Sequence, residues 1–400
     1  MYTVRIRFIP FSLCLLLLGV TSTAQAVDSY TQLQSGYSDG FYVKTEDNRF
    51  GLKVGSRINF GYAYGFLESG ENPSSFDIQH AKFYMGGNAF GSTVQYYVQA
   101  AAGNNTRTIG LGPLTEVGNQ GFALEDYYIR LQYEGLDIKL GQYKVPFARQ
   151  WMIYSGNLDF VQRSAPTQAF LLGRDRGVTL NHYKNTWSMT LGVFNGAGQI
   201  QAPNPFILQS GQNQSNDANQ KGMLYVSRFT ISPLGPIGYS EGDVEQTEGH
   251  LIELGGSFVY DAHRNYDLNL DQITDDFDVN TISGSGDLTW KSEGMSLQGE
   301  YFYRRHQPSL SQNFTSKGWY VQPAIFLIPR KVETALRFSW LNPNGIVAND
   351  NILEGSAALN YYFSGDHRFK TQFQYTWLRK EQISGKTNDH FIDWSIQVTL

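Results

Sequence analysis

From about Phe50 to Leu400 the chain repeats short stretches in which apolar and polar side chains alternate, and the connections between them keep a strict rhythm of long segment, tight turn, long segment. Tight turns are expected near Gly86-Gly87-Asn88, Glu134-Gly135, Lys184-Asn185, Ser292-Glu293, Pro329-Arg330 and Gly365-Asp366, with a longer link, Ser232–Glu248, where another turn is due. Between them lie long loops: Phe66–Phe76, Gly103–Gly121, Lys144–Leu172, Asn195–Gln220, Asp261–Phe277, Arg305–Thr315, Asn342–Asp350 and Lys380–Asn388. Eight loops and seven turns predict sixteen strands. An all-β, transmembrane antiparallel β-barrel has this layout, with an even strand number, short periplasmic turns and long extracellular loops. The first strand leads into a long loop and the last returns from one, so both ends of the barrel are expected at the turn rim.

The alternation is clean in several places. Ala81, Phe83 and Met85 alternate with His80, Lys82 and Tyr84; Val94, Tyr96 and Val98 alternate with Gln95, Tyr97 and Gln99; Tyr127, Ile129 and Leu131 alternate with Tyr128, Arg130 and Gln132. Period-two patterning is the strand signal, and alone it suits a soluble β-sandwich equally well. Tryptophan placement favours lipid: Trp187, Trp290, Trp319, Trp340, Trp377 and Trp394 all fall on the outward parity, mostly near strand ends, where an indole can keep its polar edge wet at the headgroup level. A mean hydropathy of −0.35 fits a barrel that hides its apolar side chains in every second position. No segment after the N-terminus supplies the roughly 20 apolar residues of a spanning helix.

The first residues read as an export address. Arg5 and Arg7 precede an apolar run, Phe8–Val20, and Ala24-Gln25-Ala26 supplies small residues for cleavage. Residues 1–26 are therefore expected to be a signal peptide, 27–49 a periplasmic arm with a hairpin at Phe41–Glu46, and 50–400 the barrel. Removal of the two arginines leaves 29 Lys plus Arg against 36 acids, a formal charge of −7. The single cysteine, Cys14, lies in the apolar run, so the mature chain offers no disulfide or thiolate.

Several segments resemble the phosphate-selective porin O/P family: Gly141-Gln142-Tyr143-Lys144-Val145-Pro146-Phe147, Gly173-Arg174-Asp175-Arg176-Gly177-Val178, Phe50–Arg57 after Gly40–Lys44, and Phe76–Lys82. The resemblance implies a trimeric sixteen-stranded channel in the outer membrane, with a third loop (about 144–172) folded into the lumen and, in some members, a preference for anions or phosphate. The basic ladder of phosphate-specific members has no residue-by-residue match here, and the chain ends on Leu400 where most barrels end on an aromatic residue.

A focused field in a narrow opening decides which ions pass. By the alternation, the inward basic residues are Lys53, Arg57, Lys82, Arg130, Lys139, Arg228, Lys291, Arg304, Lys331, Arg337 and Lys370; the inward acids are Glu134, Glu253, Asp287, Glu300, Glu333, Glu354 and Asp393. Bases outnumber acids within a chain that is acidic overall. Loop three adds Lys144, Arg149 and Arg163 against Asp159 alone. Arg57, Lys82, Arg130, Arg149 and Arg163 are the candidates for an anion pathway. The expected partners are outer-membrane lipid and lipopolysaccharide, two further copies of the chain, and small anions in the lumen.

Other chemistry finds little support. Asp267, Asn269, Asp271 and Asp278 resemble a calcium loop, but Gln272 stands where the turn glycine belongs. The seven histidines show no metal spacing, and no G-x-S-x-G elbow or dinucleotide fingerprint is present. No cofactor, metal or nucleic acid is expected. A passive porin with anion preference is the leading reading. The alternatives are a general diffusion porin, an outer-membrane barrel enzyme and a secreted carbohydrate-binding β-protein.

Overall fold

The computed structural model describes residues 33–102, 106–109, 112–115, 123–196, 222–266, 277–309, 311–382 and 385–400. A hairpin, β1 (Leu33–Tyr37) and β2 (Phe41–Thr45), precedes the wall. The wall opens with β3 (Gly51–Phe66), β4 (Ser74–Ala89) and β5 (Val94–Ala102), and β6 (Thr106–Ile109) with β7 (Gly112–Thr115) forms a separate two-stranded sheet. It continues with β8 (Ala123–Tyr133), β9 (Leu136–Lys144), β10 (Arg174–Lys184), β11 (Trp187–Phe194), β12 (Leu224–Ile231) and β13 (Leu251–Tyr266). The last strands are β14 (Phe277–Ser292), β15 (Met295–Pro308), β16 (Phe314–Ile328), β17 (Val332–Asn342), β18 (Ile352–Tyr362), β19 (Phe369–Gln382) and β20 (Gly385–Thr399). Each wall strand pairs antiparallel with the next, and β20 returns to β3 with Phe391 opposite Gly65 and Thr399 opposite Arg57. The result is a closed barrel of sixteen antiparallel strands.

The burial pattern is that of a membrane barrel, with apolar side chains outside and polar ones inside. On β17, Leu336 and Phe338 are exposed while Glu333, Arg337 and Ser339 are buried. On β19, Phe373 and Tyr375 are exposed while Lys370, Gln372, Gln374 and Thr376 are buried. All six tryptophans assigned to the outer face keep that parity; Trp394, for example, stands between the buried Asp393 and Ser395.

Three connections differ from the sequence reading. Gly86, Gly87 and Asn88 are not a turn: they lie in β4, opposite Lys53, Leu52 and Gly51, and the chain reverses after Ala89. Gly87 is there for close packing, since a Cβ on it would come 1.9 Å from the carbonyl oxygen of Gly51. The Lys380–Asn388 loop is mostly ladder, with Lys380 opposite Thr387 and Gln382 opposite Gly385. Past the lipid a strand no longer needs an apolar face, so its polar composition imitates a loop. β13 likewise runs on to Tyr266 through a bulge. Most of the loops expected at Gly103–Gly121 and Asn195–Gln220, and the calcium-like run at Asp267–Gln272, lie outside the described residues.

Candidate functional site

The lumen is filled unevenly. After β9 the chain enters the barrel as a compact segment: α1 (Arg149–Met152), a 3-10 turn at Ser155–Asn157 and α2 (Ala165–Phe170). Ser164 caps α2 by accepting a hydrogen bond from the Thr167 N–H at 3.2 Å. Phe147, Trp151, Phe170 and Leu172 are buried in a core shared with Phe302, Tyr320 and Leu341 of the wall, and Phe170 stacks on Phe302 with centroids 5.1 Å apart. The backbone of this segment is then tied to inward side chains. Arg304 Nη2 donates to Phe170 O at 2.6 Å, Arg337 Nη1 to Gln162 O at 2.8 Å and Lys370 Nζ to Leu158 O at 2.6 Å. Glu300 accepts the Arg149 N–H at 2.7 Å, and Glu354 accepts the Ala165 N–H at 2.9 Å.

The longer link between β12 and β13 also turns inward and meets this segment from the opposite rim. Gln150 Nε2 donates to Glu241 Oε1 at 2.7 Å, and the Asp159 N–H donates to Glu241 Oε2 at 2.7 Å. In return the Gly242 N–H donates to Asp159 Oδ1 at 2.8 Å. Lys291 Nζ holds the link through Ser240 Oγ (2.7 Å) and Gly242 O (2.6 Å). Two chain segments thus brace each other in mid-lumen.

Among the described residues a conduit stays open against the β5–β11 wall, a space of about 530 Å³, and a smaller one of about 120 Å³ lies between Gln162, Arg163 and Ala165 and the wall at Arg337, Glu354 and Asp393. The conduit follows β9 from Asp137, beside the Glu134-Gly135 turn, to Lys144, where the strand enters loop three. That is about 23 Å of strand at ~3.3 Å per residue. Tyr97, Tyr128, Tyr143, Tyr154 and Tyr239 line it together with Lys139 and Arg130. Gly141 shapes this wall: its φ is +136°, and a Cβ there would lie 2.2 Å from the Tyr127 carbonyl oxygen, so only glycine lets β9 close on β8 beside Tyr128.

Of the five candidate cations, Arg130 alone lines the conduit, where it is ion-paired with Asp137 and its side chain remains 34% exposed. Lys82 is buried in an ion pair with Glu125 at 2.8 Å. Arg149 is fully buried, paired with Glu253 and donating to Gly238 O at 3.0 Å. Arg163 donates to the carbonyls of Gln150 (3.1 Å) and Ile153 (3.0 Å) within loop three. Arg57 is 1% exposed, with its guanidinium 3.8 Å over the Tyr154 ring. Its Nε and Nη2 have no hydrogen-bond partner among the described residues. Gly156 is what admits it, because a Cβ at that position would sit 1.9 Å from Arg57 Nη1.

The charge balance read from the alternation also changes. Glu125, Asp126 and Asp137 are buried lumen carboxylates that the alternation left unassigned, and Glu134, assigned inward, is an exposed turn residue. A bulge between Gln99 and Ala100 in the β5–β8 ladder leaves Glu125 as the extra residue and buries it together with Asp126. Arg174 then pairs with both, at 3.2 and 3.1 Å. Lys139 was assigned inward but not singled out. Its ammonium lies 3.8 Å over the Tyr128 ring and 4.1 Å over that of Tyr143, and it makes no salt bridge among the described residues. The alternation places it inward; its lack of a carboxylate partner is visible only in three dimensions.

A model of the phosphate-selective porin O and P family matches residues 50–398. The chain belongs to that family. It is an outer-membrane porin, and the family and its fold are those of channels rather than enzymes. No curated protein matches the porin by sequence. Among solved structures it is similar to the anion-selective porin from Comamonas acidovorans, with TM-score 0.59 and 8% identity over 88% of this chain and 100% of that one. It is also similar to the outer membrane channel DcaP of Acinetobacter baumannii (TM-score 0.57, 9% identity, 89% and 99% covered) and to the trimer form of OmpT from Vibrio cholerae (TM-score 0.53, 9% identity, 88% and 99% covered). At these identities the likeness is one of fold. The motifs that suggested the family brace the base of loop three: the Gly173 carbonyl accepts from the Val145 N–H at 2.9 Å and from Trp151 Nε1 at 3.2 Å.

Proposed function

We propose that this porin is a passive channel with a preference for anions, and that solutes cross it along the β5–β11 conduit rather than through the barrel axis. The observation that carries the reading is Lys139. The conduit's acids are answered by arginines, Asp137 by Arg130 and Asp126 by Arg174, whereas the Lys139 ammonium rests on aromatic faces. A charge with no carboxylate partner in a narrow, low-dielectric passage sets the sign of the local potential. Arg130, paired with Asp137, and Lys144, held by loop-three carbonyls, are its other cations. Lys82, Arg149 and Arg163 are assigned the role of holding the frame, and Arg57, which rests on the Tyr154 ring outside the conduit lining, is assigned a supporting part in the positive potential.

Selective capture of phosphate would call for several free donors converging on its oxygens, and of the conduit's two ammonium groups Lys144 already donates to the carbonyls of Trp151 and Ile153. The chain is taken to be exported by residues 1–26 and cleaved after Ala26, with the turns in the periplasm and the long loops outside, in contact with lipid and lipopolysaccharide. A homotrimer is proposed by analogy with the trimer form of OmpT. The test is the zero-current potential of the purified porin in a planar bilayer under a KCl gradient. Chloride preference that falls in Lys139→Met supports the reading; a potential near zero points to general diffusion, and a cation-selective one overturns it.

A further inference from the structure

The inner wall carries a feature that a simple anion pore does not need. The rings of Tyr84, Tyr97, Tyr128, Tyr143 and Phe194, on five different strands, form one continuous row across the lumen side of the wall. Successive centroids lie 6.3, 5.4, 5.9 and 5.4 Å apart, the first two contacts stacked and the last two edge-on. Loop three adds Tyr154, whose hydroxyl donates to Gln99 Oε1 at 2.7 Å. Tyr239 comes from the link between β12 and β13. The usual place for aromatic residues in a barrel is the outer rim; here Tyr97, Tyr128 and Tyr143 of this row line the conduit, with Lys139 Nζ lying over the last two rings, while Phe194 at the end of the row is buried in the core.

We infer that the conduit favours organic anions with a flat apolar body, aromatic carboxylates, over inorganic anions of the same charge. The inference rests on the anion reading above and adds the substrate class. A carboxylate meets the Lys139 ammonium while its ring packs offset or edge-on against the tyrosine faces, the geometry aromatic pairs prefer. Phosphate or chloride gains nothing from those faces and loses hydration beside them. The guanidiniums that would compensate are engaged elsewhere: Arg130 with Asp137, and Arg174 with Glu125 and Asp126.

The experiment is a block titration of the whole porin in a planar bilayer. KCl conductance is recorded while benzoate, cyclohexanecarboxylate, acetate or phosphate is added to one side. Benzoate should reduce conductance at a concentration about fivefold below acetate, the size of one ring–ring contact, with cyclohexanecarboxylate between them and phosphate weakest. Tyr128→Leu should bring benzoate to the level of acetate, and Tyr97→Leu provides the same reading should the first variant fail to insert. Equal block by benzoate and acetate in the native porin overturns the inference, as does phosphate blocking at the lowest concentration. If the KCl gradient reports anion preference while benzoate and acetate are equal, the substrate class alone fails. If it reports none, the anion reading fails with it.

Discussion

On the β13–β20 side of the lumen, Arg304, Arg337 and Lys370 end on backbone carbonyls of loop three, and Arg149 ends on Glu253. On the β5–β11 side Lys144 alone of the conduit's cations ends on loop-three carbonyls among the described residues; tyrosine rings line the rest, and Lys139 rests on them. Both sides are rich in cations, yet their chemistry is opposite. A guanidinium satisfied by carbonyls is structural material, and its charge is largely cancelled for a passing ion. A cation over rings keeps its field. The number of inward bases is therefore a poor guide to selectivity; what matters is which of them lack an oxygen partner.

That contrast can be broken from either side. The largest effect is expected on the packed side, from Arg149→Ala. Leaving Glu253 buried without its partner costs about 3–5 kcal/mol, read as a lower thermal unfolding midpoint in detergent, with little change in ion selectivity among the channels that still insert. Glu241→Ala should come next, since it strips acceptors from Gln150 and from the Asp159 N–H at about 1–3 kcal/mol for each orphaned buried group. Loop three would lose its brace, and single-channel conductance should rise.

On the open side, Lys139→Gln should leave unfolding nearly unchanged while moving the zero-current potential toward potassium. A unit charge felt at ~8 Å amounts to about 0.5–2 kcal/mol, roughly a twofold to thirtyfold change in permeability ratio. Arg130→Ala should lower anion preference less, because its side chain is 34% exposed and better screened by salt; the Asp137 it leaves unpaired acts in the same direction.

The smallest effect is one of pH. Burial and the neighbouring carboxylates Glu333 and Glu241 hold the Asp159 carboxyl well above its ordinary range. The folded porin therefore binds that proton more tightly than the unfolded chain, so this group's contribution to stability improves as pH falls from neutrality through the raised range. It levels off below about pH 4, where the unfolded carboxylate is protonated as well. Asp159→Asn should flatten this part of the profile, as measured by unfolding midpoints at about pH 5 and about pH 7.5.

Much of this was legible in the sequence. Period-two alternation assigned inside and outside for most of the wall, and it had already put Tyr84, Tyr97 and Tyr128 on the polar side, which was the available sign of an inner aromatic row. It lost the register at Glu125 and Asp126, where a bulge adds a residue and a strict period of two fails. Gly86-Gly87 read as a turn because glycine signals both reversal and close packing, and composition alone does not separate them. The Ser232–Glu248 link stood out only by its length. That it enters the lumen depends on Gln150 and Asp159, whose partners are 91 and 82 residues away in sequence. Such pairings leave no local trace.

That same distance bears on assembly. The bonds between loop three and the link cannot form until the wall has curved far enough to bring both rims' segments to mid-lumen, and long-range closures of this kind come late in folding. A barrel that has closed in the membrane before its inner brace has set is a wider hole than the finished porin. For the cell that makes it, slow docking of loop three is therefore leakage, and the rate at which Glu241 finds Gln150 is a matter of envelope integrity as much as of protein stability.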